Sequence, residues 1–298
     1  MNVKPKIIAI VGPTASGKTA LSIELAKKFN GEVISADSRQ VYEGLDLGTG
    51  KVTEEEKQGI PHHLLDIANP MQVYTAAEFE LDANAAILDI LSRGKAPIVA
   101  GGTFFYLDIL RGIHQAAPVE PDETFRLSLM SHSTCELFYR LRSADPKRAE
   151  TIDPNNRPRL VRALEIINAL GSVPRLQKKD SPYDWLVVGI TMDKLRLYKN
   201  IHDRLHSRLK EGMLTEAEKL HTAGLTYERM HDLGLEYRYM AMHLQQQMLY
   251  ADMAHKLEIK IRQYAKRQMT WLKRDKEIEW FEQGDTAGVL ERAEKFLQ

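Results

Sequence analysis

The chain has 298 residues, which is enough for one large or two modest domains with real hydrophobic cores. Lys and Arg together number 41, as do Asp and Glu, so the net charge gives no sign of a polyanion partner and any such signal must be local. A single cysteine excludes a disulfide within the chain, and no apolar stretch approaches the roughly 20 residues that span a bilayer.

The first residues run directly into the first predicted strand, so we expect no signal peptide. The lack of disulfides and of membrane spans fits a reducing compartment. A cytoplasmic location is therefore expected.

The first predicted elements are a buried strand, a glycine-rich loop and a helix. The apolar run 7–11 predicts the strand, and Leu21 and Leu25 share one face of the helix. Between them lies the phosphate-loop pattern of Gly, four residues and Gly-Lys-Ser/Thr, formed by Gly12, Pro13, Thr14, Ala15, Ser16, Gly17, Lys18 and Thr19. Loop amides, the helix N-terminus and Lys18 favour an anion, and the Thr19 hydroxyl is placed to hold Mg2+ on it. The sequence therefore predicts a site for a diphosphate or triphosphate.

Two further strands are predicted to end at the same edge of the sheet as this loop. The run 32–36, Glu-Val-Ile-Ser-Ala, is followed by Asp37, and the run 96–100 is followed by a glycine turn and Thr103. A capped amphipathic helix at 75–94 separates the two runs. Ligands of open α/β sheets lie outside the carboxyl ends of the strands, so Asp37, Thr103 and the loop are predicted to face one ligand.

The segment between the second strand and this helix is interpreted as structural. Residues 44–59 are polar and glycine-rich, which predicts a surface excursion. His62 and His63 could be metal ligands, but neighbouring strand residues point to opposite faces and no further ligand lies at a useful spacing. A structural role for the two histidines is therefore favoured.

The alternation of strands and helices breaks after about residue 112. No convincing strand follows until residues 185–191, which resume the sheet, and from there on the pattern is mostly helical. The predicted fold is α/β: a P-loop NTPase-like core with a parallel sheet flanked by helices, an inserted all-helical domain and a helical C-terminal region. The predicted limits are 1–115 and 183–298 for the core and 116–182 for the insertion.

Basic residues concentrate in two helical regions. One lies in the insertion around Arg157, and the other is a helix predicted at 256–276 that carries Arg262, Lys266 and Arg267. Charge runs are usually solvated helix faces, so this pattern alone favours no ligand. The phosphate loop alone fits an ATPase, a small-molecule kinase or a transferase with a diphosphate leaving group, and spacing does not choose among them.

Seven segments along nearly the whole chain match the motifs of one family. They are Gly-Pro-Thr-Ala-Ser-Gly-Lys-Thr (12–19), Ile-Ser-Ala-Asp-Ser-Arg-Gln-Val-Tyr (34–42), Gly-Thr-Gly-Lys (48–51), Pro-His-His-Leu-Leu-Asp (61–66), Gly-Gly-Thr (101–103), Asp-Pro-Asn-Asn (153–156) and Arg-Gln-Tyr-Ala-Lys-Arg-Gln-Met-Thr-Trp-Leu (262–272). In these segments the chain resembles the bacterial tRNA dimethylallyltransferases, also called tRNA isopentenyltransferases. The combination of the phosphate loop with Ser-Ala-Asp-Ser-Arg-Gln is highly specific.

The resemblance implies transfer of a dimethylallyl group from dimethylallyl diphosphate to N6 of adenosine 37 in tRNAs that read codons beginning with U. The phosphate loop then holds a leaving group, with Mg2+ on Thr19 and a further contact from Arg204, or from Arg208 in its place. Asp37 matches the residue that accepts the N6 proton, and Thr103 matches a residue near the reacting groups.

The resemblance also implies tRNA as the macromolecular partner and a monomeric enzyme. Contacts with tRNA are expected from Asp37, Ser38, Arg39, Gln40, Thr103, Arg157, Pro158, Arg159, Leu160, Val161, Arg262, Lys266 and Arg267. The insertion is expected to clamp the anticodon stem-loop, and the target base must leave its stack. The alternatives are an isopentenyltransferase acting on free AMP, which would not need the long basic insertion, and a phosphate-loop kinase.

Overall fold

A computed structural model describes residues 4–115, 117, 119–174 and 179–298 and divides the chain into two compact units. The core unit comprises Met1–Gly112 and Lys179–Gln298, and the insertion unit comprises Ile113–Lys178. The strands are β1 (Lys6–Val11), β2 (Gly31–Ser35), β3 (His62–His63), β4 (Ala96–Ala100), β5 (Asp184–Thr191) and β6 (Ile278–Glu282). The helices are α1 (Lys18–Lys28), α2 (Glu54–Lys57), α3 (Ala76–Ser92), α4 (Phe104–Leu110), α5 (Glu123–Leu129), α6 (Thr134–Ala144), α7 (Pro146–Ala149), α8 (Arg157–Leu170), α9 (Lys194–Lys210), α10 (Met213–Thr222), α11 (Tyr227–Leu233), α12 (Leu235–Leu244), α13 (Tyr250–Leu272) and α14 (Thr286–Leu297).

The core unit is built on one sheet of six parallel strands in the order β3-β2-β4-β1-β5-β6. The central strand β1 pairs with β4 on one side and with β5 on the other. Helices flank the sheet, so the predicted α/β class with a parallel sheet is confirmed. The strand order brings the carboxyl ends of β1, β2 and β4 together at one edge.

The apolar run of β1 is continuous because both faces of the sheet are covered. Ile7 lies in one buried cluster with Phe79 of α3, whereas Ile8 lies in another with Leu21 and Leu25 of α1. A half-exposed strand would instead alternate apolar and polar residues. The loop after β1 is therefore anchored by a strand that is buried on both faces.

The sequence-based prediction missed β6. It pairs in parallel with β5 and forms one edge of the sheet. Its sequence, Ile-Glu-Trp-Phe-Glu, buries only Ile278, and Trp280 is 37% exposed. Because an edge strand of this kind lacks the long apolar run of a central strand, the pattern does not stand out from the helices around it.

A third buried cluster is formed by the helices that follow β5. Leu205 of α9, Met240 of α12 and Leu257 of α13 are completely buried in it, together with Tyr42 and Leu45 from the segment after β2. This cluster ties the C-terminal helices to the chain on the carboxyl side of the sheet. In the described part of the chain, no helix is both long and apolar enough to cross a membrane.

The insertion unit is entirely helical over the residues that the structure describes, with its own core between α5, α6, α7 and α8. Leu137, Leu141 and Leu160 are fully buried in that core. The carboxylate of Glu165, also buried, pairs with the guanidinium groups of Arg126 and Arg162, which satisfies a charge that would otherwise be costly to bury.

Candidate active site

The loop between β1 and α1 is shaped to receive an anion. Gly12 and Gly17 have φ angles of 154° and 90°, which a residue with a side chain rarely adopts. A Cβ on Gly12 would also lie 3.0 Å from the carbonyl oxygen of Ile190. No side chain among the described residues caps the N-terminus of α1, and its first turn carries no acidic residue, so its amides are available to a ligand.

Lys18 begins α1 with its ammonium folded back onto the loop. Its Nζ donates to the carbonyl oxygens of Gly12 and Pro13 at 3.0 and 2.8 Å. Burial and then the nearby positive charge of Arg204 lower the pKa of Lys18 to about 7, and the carboxylate of Asp37 opposes that shift. Within the described ranges no carboxylate forms an ion pair with this ammonium, so a bound phosphate would supply its counter-ion.

Asp37 follows β2 and lines the same cleft as Lys18 and Thr19. Its Oδ1 accepts hydrogen bonds from the backbone amides of Arg39 at 2.9 Å and Gln40 at 3.4 Å. Among the residues that the structure describes, none donates a hydrogen bond to Oδ2. The turn therefore fixes the carboxylate through one oxygen and leaves the other for a ligand.

Thr103 lies beside this turn, just after β4. Its Oγ1 accepts from the backbone amide of Ser38 at 2.9 Å and donates to the Ser38 hydroxyl at 3.1 Å. A Cβ on the nearby Gly101 would lie 2.1 Å from the carbonyl oxygen of Ala36, so only glycine allows the two strand ends to approach so closely. Thr103 thus holds the Asp37 turn against β4.

This wall of the cleft is completed by Tyr264 and Gln268 of α13. Neither residue was predicted from the sequence to belong to the site. Oε1 of Gln268 accepts from the amide of Thr14 at 2.8 Å, and its Nε2 donates to the carbonyl oxygen of Gly102 at 3.0 Å. The hydroxyl of Tyr264 donates to the same oxygen at 3.2 Å. Gln268 occupies a position of the buried stripe of α13, and a polar residue in such a stripe is the signal that could have revealed it.

The predicted surface excursion after β2 is wrong over its first half. Leu45 is completely buried, and Thr49 and Val52 line the cleft. The carboxylate of Glu216 accepts from three backbone amides of residues 46–48 at 2.6 to 3.1 Å and from the hydroxyl of Tyr237 at 2.7 Å. Charged side chains elsewhere in the chain bind the backbone of residues 46–52, here called the cleft loop.

Arg204 and Arg208 of α9 both reach the cleft loop, but only Arg204 lines the cleft. Arg204 donates to the carbonyl oxygen of Gly50 at 2.8 Å, while Arg208 donates to that of Leu47 at 2.9 Å and pairs with Glu236. Desolvation and then the charge of Arg208 lower the pKa of Arg204. An anion in the cleft would therefore meet Arg204 before Arg208.

A match to the IPP transferase family covers residues 40–275, which is most of the chain. The chain belongs to the IPP transferase family. A protein of Anoxybacillus flavithermus named tRNA dimethylallyltransferase is 37% identical over 297 residues, which is 98% of this chain and 95% of that protein. A Staphylococcus aureus protein of the same name is 41% identical over 295 residues, covering 94% of this chain and 93% of that protein.

Solved structures that are similar to this chain belong to the same kind of enzyme. The tRNA isopentenylpyrophosphate transferase of Bacillus halodurans superposes with a TM-score of 0.75 at 35% identity, over 99% of this chain and 97% of that one. A eukaryotic dimethylallyltransferase described as acting on tRNA superposes with a TM-score of 0.79 at 29% identity, over 95% of this chain and 75% of that one. The predicted resemblance is confirmed, and this member of the IPP transferase family is a prenyl-transferring enzyme.

In this family member, the residues of the core unit that the resemblance expects to contact RNA differ in their surroundings. Asp37 and Gln40 line the cleft, whereas the guanidinium of Arg39 donates to the carbonyl oxygen of Asp232 at 3.3 Å. In α13, Lys266 and Arg267 are exposed, and Arg262 pairs with Glu258.

The five expected contacts in the insertion unit differ in accessibility. Pro158 and Arg159 are exposed, and Val161 is partly buried. Leu160 is fully buried in the unit's core. The guanidinium of Arg157 donates to the carbonyl oxygens of Leu129 and Met130, each at 3.0 Å, and so satisfies the end of α5. Pro158 and Arg159 are therefore the members best able to meet a partner.

The two adjacent histidines take separate roles, as their alternation along β3 predicts. Nε2 of His63 lies 2.7 Å from the buried carboxylate of Glu32, which also binds Arg93 and Lys95. His62 lines the cleft, its Nδ1 lies 2.9 Å from the carbonyl oxygen of Ile60, and burial lowers its pKa. His63 is therefore structural, and neutral His62 contributes to the cleft wall.

Replacing Glu216 by Ala is expected to release the cleft loop. The loss of a carboxylate that accepts four hydrogen bonds should lower the free energy of unfolding by ~3 kcal/mol and speed trypsin cleavage after Lys51, which is otherwise buried. The matched control is Glu218→Ala, which removes an exposed carboxylate from the same helix. Equal cleavage rates in the two variants would show that Glu216 does not hold the loop.

Proposed function

We propose that this enzyme transfers a dimethylallyl group from dimethylallyl diphosphate to N6 of adenosine 37 in tRNAs that read codons beginning with U, giving N6-(dimethylallyl)adenosine. The observation that carries the proposal is that an anion-binding loop and the available oxygen of Asp37 line one cleft. A leaving group and a nucleophile can therefore be held side by side. Family membership supports the same reaction.

The diphosphate is the group that leaves, so the site must favour the charge that develops on it. The backbone amides at the start of α1, the ammonium of Lys18 and the guanidinium of Arg204 are the groups proposed to bind it. Fixed donors of this kind stabilise a developing anion without reorganising. When the C1–oxygen bond of the donor breaks, the electron pair stays on the diphosphate and these groups hold it.

Two oxygen-bearing side chains of the cleft suit Mg2+. The hydroxyl of Thr19 and the carboxylate of Asp37 both line the cleft, and Mg2+ prefers oxygen ligands. Thr19 is the residue that would hold the ion on the phosphates. Bound Mg2+ would supply further positive charge to the leaving group.

Asp37 is proposed to act on the acceptor. The N6 amine of adenine is a weak nucleophile, and a carboxylate within hydrogen-bond distance orients it and accepts its proton as the N6–C1 bond forms. The amides of Arg39 and Gln40 hold Oδ1, so Oδ2 receives the proton. Thr103 holds the turn that carries Asp37 through its hydrogen bond with Ser38. It is the second residue that we propose to take part in catalysis.

The acceptor is proposed to be the anticodon stem-loop of tRNA. Single-stranded loops present bases that can leave the stack and enter a pocket, which is what a cleft-bound carboxylate requires. Exposed Pro158, Arg159, Lys266 and Arg267 are proposed to contact its backbone, together with the turn after Asp37. The insertion unit is proposed to act as the clamp.

The proposal also assigns the chain a cytoplasmic location and a monomeric state. Its substrate would be cytoplasmic tRNA.

The decisive experiment is mass analysis of unmodified tRNA after incubation with the enzyme, dimethylallyl diphosphate and Mg2+. We expect one adenosine of the anticodon loop to gain a dimethylallyl group. Free AMP and ATP are offered in parallel. Transfer to AMP in preference to tRNA, or ATP hydrolysis faster than prenyl transfer, would contradict the proposal.

A further inference from the structure

Three metal-ligating side chains converge on the outer side of the C-terminal helices. His202 and His206 lie one turn apart on α9 and face Glu258 of α13. Nδ1 of His202 is 3.0 Å from Oε2 of Glu258, and Nε2 of His206 is 3.8 Å from the same oxygen. The ligand atoms of the three residues all lie within 4.8 Å of one another, and the imidazole centroids are 4.2 Å apart.

We propose that these three residues bind a divalent transition metal of the Zn2+ class. Two imidazole nitrogens and one carboxylate oxygen are a common zinc donor set, with water completing the coordination. Residues four apart on a helix share a face, so the backbone already presents both histidines to one ion. Mg2+ prefers oxygen ligands and would not compete for imidazole.

The carboxylate is held in place for this role. Oε1 of Glu258 accepts a hydrogen bond from Arg262, whose guanidinium lies over the ring of Tyr198 at 4.8 Å, so Oε2 is the oxygen that faces the histidines. Hydrogen bonds that orient a ligating carboxylate are characteristic of metal sites.

A metal ion in solvent can reach this site through the two histidines, whose side chains are the more exposed members. The Glu258 side chain is 13% exposed, whereas those of His202 and His206 are 50% and 42% exposed. The exposed rings can therefore rotate to bring their nitrogens to the roughly 2.0–2.1 Å at which zinc binds imidazole.

A metal at this position would fasten two walls of the cleft to each other. α9 carries Asn200, whose Nδ2 donates to the carbonyl oxygen of Ala15 at 3.2 Å, and α13 carries Gln268, which binds Thr14. Joining the two helices at His202, His206 and Glu258 would limit their separation. The metal site is thus a stabilising cross-link outside the cleft, and it does not depend on which reaction the cleft performs.

The test is a titration of the full chain with Zn2+ in competition with a coloured zinc indicator. We expect the wild-type chain to bind one Zn2+, and an excess of Mg2+ should not weaken this binding. The melting temperature of the wild-type chain should be higher with Zn2+ than without it. His202→Gln, His206→Gln and Glu258→Gln should each weaken binding by about tenfold or more. His243→Gln is the matched control and should leave binding unchanged. His243 lies on α12, not on α9 or α13, and its Nδ1 is 3.0 Å from the carbonyl oxygen of Met248.

Co2+ provides a second readout that does not depend on stability or activity. Coordination by two imidazoles and a carboxylate should give the wild-type chain visible absorption bands that the double variant His202→Gln/His206→Gln lacks. Equal Zn2+ affinity in the wild type and the double variant would overturn the proposal. So would a wild-type chain that fails to compete with the indicator.

Discussion

Replacing Asp37 by Asn is expected to lower the rate of prenyl transfer by a factor on the order of 100 or more while tRNA binding is retained. The amide oxygen of Asn can still accept the hydrogen bonds that the backbone amides of Arg39 and Gln40 donate to Oδ1. The turn therefore keeps its shape, but no group is left to accept the N6 proton. Single-turnover transfer with saturating donor measures the chemical step, and tRNA binding is measured separately.

The control for this variant is Asp203→Asn. Asp203 is an exposed carboxylate on α9 that pairs with Lys199, and its loss should change neither the transfer rate nor tRNA binding. Near-normal single-turnover transfer by the Asp37→Asn enzyme would remove Asp37 from the role of base. Equal losses of transfer and of tRNA binding would assign it to RNA recognition instead.

The affinity for inorganic diphosphate is expected to fall as the pH rises above 7, because Lys18 loses its proton in the free enzyme. Burial and the charge of Arg204 lower the pKa of Lys18 from 10.5 to about 7, so its ammonium is fully charged only below that pH. A bound diphosphate favours the charged form and raises the pKa again. Binding above pH 7 must therefore take up a proton, and the affinity should fall by up to about tenfold per pH unit.

Calorimetric titration with diphosphate between pH 6 and 9 measures this dependence. Diphosphate itself titrates in part of the range, so the informative quantity is the difference between the wild type and Lys18→Met. That variant should bind more weakly at pH 6 and lack the extra slope above pH 7. Parallel pH profiles for the two proteins would show that Lys18 does not titrate with binding.

The same shift has a consequence for stability in the absence of ligand. Between pH 7 and 10.5 the unfolded chain holds a proton on Lys18 that the folded chain has released. The contribution of Lys18 to the free energy of unfolding therefore rises with pH across this window, and Lys18→Met should not show that rise.

The elements whose signal lies in neighbouring residues could be predicted from the sequence. The apolar runs of β1, β2, β4 and β5 and the capped helix α3 all lie where the pattern places them. The phosphate loop is a contiguous motif. Parallel strands put their carboxyl ends at one edge, which is why the order of the residues along the chain predicts Asp37 in the same cleft as Lys18 and Thr19.

The rest of the cleft depended on contacts between residues far apart in the chain. The hydrogen bond from Thr14 to Gln268 joins residues 254 positions apart, and Glu216 binds amides roughly 170 positions away. Periodicity reports only which residues share a face of one element. It does not report which element that face meets.

The sequence by itself determined the parallel α/β core, the glycine-rich loop after β1 and the placement of Asp37 directly after β2, because their signals lie in neighbouring residues. Only the tertiary structure decided the strand order with β6 at the edge, the burial of the cleft loop and the lowered pKa of Lys18. These three features depend on which segments, distant in the chain, pack against each other. That packing decides which strands pair, which side chains are shielded from water and which groups form hydrogen bonds.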